Sequence, residues 1–331
     1  MSDFSDDDSK RLQQLGTILD AAKRRGVRKL SLTQLQELPI LYRFAASLLA
    51  RLEARDATER AQTNVRLLLL KAHGLLYSDI EQANAPWFVR AWRYFMIDCP
   101  QQVRREWKLL GATFLLLYAF VFIAYYAVSQ DLSLAYSFLD AGMVDNEIEQ
   151  LRATEAGEPF KGNFTFGLEE SGQVGGLVMG NNIKVGLLFF AAGLIPPIFL
   201  FLTGLNGMMV GTYTAVAGHW GQAGAISSIL WCHGVLEIQA LVFAGAGGMI
   251  LLRAWVAPGP WSRKEAMRLE SRNALRILAP MFPMLFAAGL IEGFVSPHAP
   301  TLVRSAVAIT TGIMLVGWIC FAGRGKTSAA V

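Results

Sequence analysis

His233 and Glu237 stand four residues apart inside a long apolar run, residues 225–256 (AISSILWCHGVLEIQALVFAGAGGMILLRAWV). On a helix that spacing stacks an imidazole and a carboxylate on one face. Both groups are costly in hydrocarbon, so they point into the protein or into a water-filled cavity. A histidine and a carboxylate one turn apart can act as donors to a divalent transition metal. They can equally hold neighbouring helices in register through polar contacts. The same face continues through Ala240, Ala244 and Gly248, small residues that let another helix approach closely.

Further polar groups fall at comparable depth. Glu237 precedes Arg253 by sixteen residues, and Glu292 follows Arg276 by sixteen. At ~1.5 Å rise per residue, both carboxylates sit roughly 24 Å from the basic helix ends. His233 lies one turn beyond Glu237. Gly207, Gly211, Ala215 and His219 form a stripe of spacing four, expected to be a close-contact face with His219 at its outer end. Asn181, Asn182 and His298 are expected near the same surface, and Asn206 in a tight polar reversal, Leu205-Asn206-Gly207. The expected polar network is therefore His233, Glu237, Glu292, His219, Asn181, Asn182 and Asn206. Two readings stand for it, a ligand pocket open to the outside and a purely structural network. A metal at His233 and Glu237 is a third, and no third ligand has a diagnostic spacing. No cofactor is otherwise expected. There is no P-loop, no G-x-S-x-G elbow and no H-E-x-x-H zinc helix.

The elements that must position these groups are membrane helices. The chain has 331 residues, 53% hydrophobic and only 17% charged, against about a quarter charged in soluble domains. The shortfall falls after Lys108, which predicts an all-α polytopic membrane protein of about six transmembrane helices. Cys99, Cys232 and Cys320 have no paired spacing, so neither a disulfide framework nor a thiol metal site follows. The acidic start, MSDFSDDDSK, has no apolar segment behind it and is not expected to be a signal peptide.

In order, residues 1–100 read as a cytosolic helical domain. Gly26 is a plausible helix stop, Ser31 and Gln34 suggest a capping box, and Pro39 is expected near the start of a helix over 41–55. Arg51, Arg55 and Arg60 alternate with Glu53, Asp56 and Glu59, the pattern of a solvated helix face, so no nucleic-acid partner is expected. Residues 87–107 mix Trp87, Phe88, Trp92 and Trp107 with Arg90, Arg93, Arg104 and Arg105, and read as an interfacial helix divided by Pro100. The first span is 109–128, followed by an acidic extracytoplasmic insert, 129–180, with a glycosylation sequon at Asn163-Phe164-Thr165. A five-helix membrane core, 181–323, has spans near 185–202 (bent by Pro196-Pro197), 203–220, 225–256, 277–295 (with Pro280 and Pro283) and 302–321. The second and third could instead be half-helices of a re-entrant pair. A short cytoplasmic tail, 324–331, closes the chain. Basic clusters before span one, between spans four and five, and after span six fall on one side, which places both termini in the cytoplasm.

Several ordered motifs resemble the stage II sporulation protein M family of membrane proteins. They are His233-Gly234-Val235-Leu236-Glu237 followed by Ala240 and Ala244-Gly245-Ala246-Gly247, with Asn181-Asn182 and the run from Leu205 to Gly211 upstream. Downstream is the run from Ala287 through Glu292 to Pro297. Tyr42-Arg43 and the Ala72-His73 to Tyr77 segment are similar to its longer, non-sporulating members. The resemblance implies a multi-pass protein of the bacterial inner membrane. Sporulation members of the family work with cell-wall hydrolases in a complex, and many others are encoded near MoxR-type ATPases without a settled activity. It carries over no catalytic residue, and the 1–100 domain exceeds what the short sporulation members have. The leading expectation is a non-enzymatic scaffold or component of an envelope-assembly or wall-remodelling complex, in the lipid bilayer, with protein partners on both faces and a possible homo-oligomer. The alternatives are a transporter or lipid-handling protein with an outer-leaflet polar pocket, and an intramembrane metal hydrolase.

Overall fold

The computed structural model describes residues 4–25, 30–55, 57–77, 86–157 and 166–325. Gly26, Asp56, the sequon at 163–165 and the tail beyond Gly325 lie outside them. Every regular element among the described residues is helical. The chain divides into two compact units.

The first unit is built on α1 (Asp6–Arg25), α2 (Leu32–Ala54) and α3 (Glu59–Tyr77). Its core repeats at helical spacing, with Leu15, Ile18 and Leu19 meeting Leu38, Leu41, Ala45, Leu48 and Leu52, and Val65 and Ala72 closing the third side. Ser31 and Gln34 form the reciprocal capping box that starts α2. Pro39 does not begin a separate helix. It lies inside α2, and the flanking Leu38 and Leu41 are both buried, so core packing offsets the hydrogen bond that proline removes. The short α4 (Trp87–Arg93) belongs to the same unit and exposes Trp87, Phe88 and Trp92.

The second unit begins with a π-helical turn, Tyr94–Asp98, leading into α5 (Cys99–Arg105). The break in the aromatic segment is therefore this turn and not Pro100, which sits in the first turn of α5, where its missing N–H costs nothing. Then come α6 (Trp107–Gln130), α7 (Ala141–Glu155), α8 (Ser171–Ala192), α9 (Pro196–His219), α10 (Ala223–Val256), α11 (Arg263–Leu278), α12 (Met281–Phe294) and α13 (Thr301–Phe321). Six stretches are long and apolar enough to cross a membrane: α6, 168–192 ending in α8, α9, α10, α11 with α12, and α13.

Two span boundaries differ from the expectation. The second spanning helix begins near Leu168 and ends at Ala192. Residues 171–180, expected within the acidic insert, are instead the first turns of α8, and Gly175 among them packs against Gly289 and Gly293 of α12. Pro196-Pro197 does not bend that helix; it opens the next one, at the positions where proline's fixed φ is pre-set for helix. No reversal occurs at Asn206 either: α9 is continuous, and the Asn206 amide donates to the Leu202 carbonyl one turn back. Spans two and three are thus full-length helices by size.

Close approach at small residues sets the register of these helices. A Cβ on Gly207 would lie 2.7 Å from the Leu117 carbonyl oxygen, and one on Gly211 would overlap the Val121 carbonyl oxygen. Four residues along α9 match four along α6, so the two run parallel in contact. The pairing ends where His219 Nε2 meets the Val128 carbonyl at 2.9 Å. Helices α8 and α12 pair antiparallel, with Gly175 set against Gly289 and Gly293. Gly248 of α10 lies against Phe190 of α8 and the capping Gly193 that follows it, while Ala240 and Ala244 are fully buried in the main core. At the basic ends, Arg253 forms a two-point ion pair with Glu106, at 2.8 and 2.9 Å. Arg104 and Gln101 of α5 bond the last carbonyls of and beyond α13, Ile319, Ala322 and Gly323, the favourable place for a cation at a helix C-terminus.

Candidate functional site

Helix α10 is the axis of the second unit, packed against α6, α8, α9, α11, α12 and α13. Its mid-portion carries His233, whose side chain is 7% exposed. The i, i+4 spacing sets Glu237 below it, with His233 Nε2 3.8 Å from a Glu237 carboxylate oxygen. The third member comes from α12. Gly289 and Gly293 bring that helix against α8, and Glu292 between them reaches 4.0 Å from the same Nε2. One donor atom from each of the three residues lies within 4.8 Å of the other two.

These three groups converge without bonding to one another. Separations of 3.8 and 4.0 Å exceed the ~2.7–3.2 Å of a hydrogen bond. Glu292 Oε2 is buried and has no hydrogen-bond partner. The other imidazole nitrogen is held: His233 Nδ1 lies 3.0 Å from the Ser296 hydroxyl. Ser296 is placed there by the turn that ends α12, where its N–H donates to the Ile291 carbonyl. In the tautomer whose Nδ1–H donates to Ser296 Oγ, the Nε2 lone pair faces both carboxylates.

The triad faces a cavity of about 400 Å³ between α8, α9, α10 and α12, whose polar lining includes Asn181 and Asn182 and whose walls include Val178, Tyr213 and Trp231. Trp231 is stacked on Tyr118 of α6, whose hydroxyl accepts a hydrogen bond from Gln239. Met143 of α7 and Phe166 also line it, so part of the acidic insert covers the site. No lysine or arginine occurs among the described residues of the lining.

The sequence-derived candidates therefore separate into two groups. His233, Glu237, Glu292, Asn181 and Asn182 share the cavity. The asparagines lie in the middle of α8 and not at its N-terminal end, because that helix starts earlier than expected. His219 and Asn206 are elsewhere: His219 joins α9 to α6, and Asn206 bonds its own helix. His298 pairs with the Ser171 hydroxyl at 2.8 Å and packs edge-on to Phe166, so it clasps the covering segment to the α12 turn. The stripe glycines Gly207 and Gly211, with Ala240, Ala244 and Gly248, serve helix packing.

Sequence reasoning missed Ser296, Met143 and Phe166. Ser296 gives no spacing signal, since it meets His233 across 63 positions. For α7 a signal existed: Val144, Ile148 and Leu151, all buried, repeat at helical spacing within the acidic insert. It marks a helix with one face packed on the membrane unit, hidden by the charge count.

The sequence model of the family described as SpoIIM, stage II sporulation protein M, matches residues 112–297, more than half of the chain. No curated protein and no solved structure matches the chain. The matched region contains all three members of the triad and Ser296.

Proposed function

The chain belongs to the stage II sporulation protein M family and is a multi-pass membrane protein with six apolar helices; on that premise we propose that it is a ligand-handling protein, taking a small polar ligand into the cavity beside His233, Glu237 and Glu292. The observation that carries this reading is the convergence of His233, Glu237 and Glu292 at the wall of a cavity of about 400 Å³, with one Glu292 oxygen buried and without a hydrogen-bond partner. A purely structural network satisfies its own members, since an unmade bond in low dielectric costs about 1–3 kcal/mol. Convergence of three ionisable side chains on one cavity is the arrangement of a binding site. The location is the bacterial inner membrane. The basic ends of α5, α11 and α13 are cytoplasmic by the positive-inside bias, and the triad opens toward the opposite face. A scaffold role in an envelope complex is a second reading, supported by the separate core of residues 1–93, which offers a partner surface distinct from the membrane unit.

The test is occupancy. Native mass spectrometry of the full chain released from nanodiscs reads bound small molecules. The cavity-filling Val178→Trp is expected to lose a mass that the parent retains, with unfolding temperature unchanged. Identical bound masses in parent and variant sink the reading. Stable co-purifying proteins with an empty cavity would favour the scaffold.

A further inference from the structure

We propose that the ligand of this cavity is a divalent transition-metal ion held by His233 Nε2 and by one carboxylate oxygen each from Glu237 and Glu292, with Ser296 fixing the imidazole. The inference rests on the reading of the cavity as a ligand site and names the chemical class of the occupant.

Charge balance is the first argument. Two carboxylates face each other in a membrane unit with no lysine or arginine among the described residues of the lining. Uncompensated, that pair is strongly unfavourable in low dielectric. A neutral imidazole adds no charge, so one divalent cation brings the three side chains to net zero.

Geometry is the second. Donors on a tetrahedral ion with ~2.1 Å bonds lie ~3.4 Å apart. The observed 3.8 and 4.0 Å from Nε2 are about half an ångström wider, and all three donors lie within 4.8 Å of one another. Rotation of the two glutamate side chains closes that gap without moving a helix.

Orientation is the third. Metal-bound histidines donate their remaining N–H to a neighbouring oxygen, which fixes tautomer and ring plane. Ser296 Oγ at 3.0 Å from Nδ1 occupies that place, and His233 itself is 6% exposed. One nitrogen and two carboxylate oxygens suit zinc, manganese, iron or cobalt in the divalent state. They argue against copper(I), which prefers sulfur, and against calcium, which prefers oxygen alone. Three protein donors leave at least one coordination position open to the cavity, where a water or an anionic ligand can bind.

The experiment uses the full, untagged chain in nanodiscs, stripped with chelator and titrated with Co²⁺ as optical probe. The expected result is one equivalent of Co²⁺ with visible ligand-field absorption. Affinity falls by at least tenfold in Glu237→Gln and Glu292→Gln. In Ser296→Ala, which leaves every donor in place, it falls about 10–100-fold. Pulsed electron paramagnetic resonance on the Mn²⁺-loaded parent needs no variant and is expected to detect one imidazole nitrogen. Co²⁺ retention by the parent equal to that of Glu292→Gln, or Mn²⁺ bound without imidazole nitrogen, overturns the metal assignment. If that happens while Val178→Trp still expels a bound mass, the cavity reading survives and only the metal falls. If neither effect is seen, both fall.

Discussion

Gly211→Ala adds a single methyl group, and the structure assigns it a large cost. The new Cβ would overlap the Val121 carbonyl oxygen and sit 2.9 Å from the Tyr125 nitrogen. Both are backbone atoms of α6, so no side-chain rotation relieves the clash, and α6 and α9 must separate along their shared seam. Overpacking of this kind costs about 1–3 kcal/mol, partly offset by the ~1 kcal/mol advantage of alanine over glycine in a helix. The control is Gly317→Ala in α13, where an added Cβ meets nothing within 4 Å and only the helix-propensity gain applies. Each kcal/mol shifts the midpoint by about 2–4 °C in a unit of this size. The difference between the two variants is therefore on the order of 5 °C, with Gly211→Ala the lower. Thermal unfolding in one detergent at a fixed scan rate measures it, because membrane proteins commonly unfold irreversibly and only matched scans compare. Gly211→Leu is expected to prevent folding, while Met208→Leu, a volume-conserving change, is expected to be nearly silent. Equal midpoints for Gly211→Ala and Gly317→Ala would refute the close-contact account of α6 and α9.

Arg253→Ala strands the Glu106 carboxylate, whose side chain is 9% exposed while that of Arg253 is 50% exposed. The loss is expected at roughly 1–2 kcal/mol, below the cost of breaking a fully buried pair because water screens the arginine. Pairing it with Glu106→Gln should restore part of the loss, and a strictly additive double-mutant cycle would dismiss the ion pair. Topology is read by single cysteines in a cysteine-free background: a membrane-impermeant reagent added outside is expected to label Glu155→Cys and not Lys264→Cys, and the reverse pattern inverts the orientation. Burial, reinforced by Asp98, pushes the Cys99 thiol up to about 12, so almost no thiolate is present at pH 8. Bimane alkylation of the folded chain should reach the half-buried Cys320 first, and labelling of Cys99 at the same rate would contradict its buried environment.

Local spacing determines relations within one helix, and it determined much here. The 3.6-residue repeat placed His233 and Glu237 on one face of an apolar helix, and the small residues at 207 and 211 on one face of another. Length and composition set the all-α class and six spanning stretches, because a hydrocarbon slab accepts only helices and closed barrels, and apolar runs of about twenty residues have the length of helices and not of strands. Equal distance from the basic ends placed Glu237 and Glu292 at one depth, and they do meet, although the break between α11 and α12 at Ala279-Pro280 interrupts the helical rise on the second side.

What spacing leaves open is the rotation of each helix about its own axis and the neighbour that its face meets. His219 continues the glycine stripe in sequence, yet the parallel seam with α6 turns it onto the Val128 carbonyl and away from the cavity. Asn206 is spaced for a reversal only if the chain breaks there, and packing of α9 on α6 keeps the helix whole. The start of α8 counts as acidic insert by composition, and only its packing shows Gly175 set against Gly289 and Gly293 of α12, the contact beside which Glu292 reaches toward His233. Ser296 and Met143 enter the site by contacts across long stretches of chain. The sequence thus determined which residues share a helix face and a depth, whereas only tertiary packing decided which faces close on one another, because that choice depends on the shapes of all the helices at once.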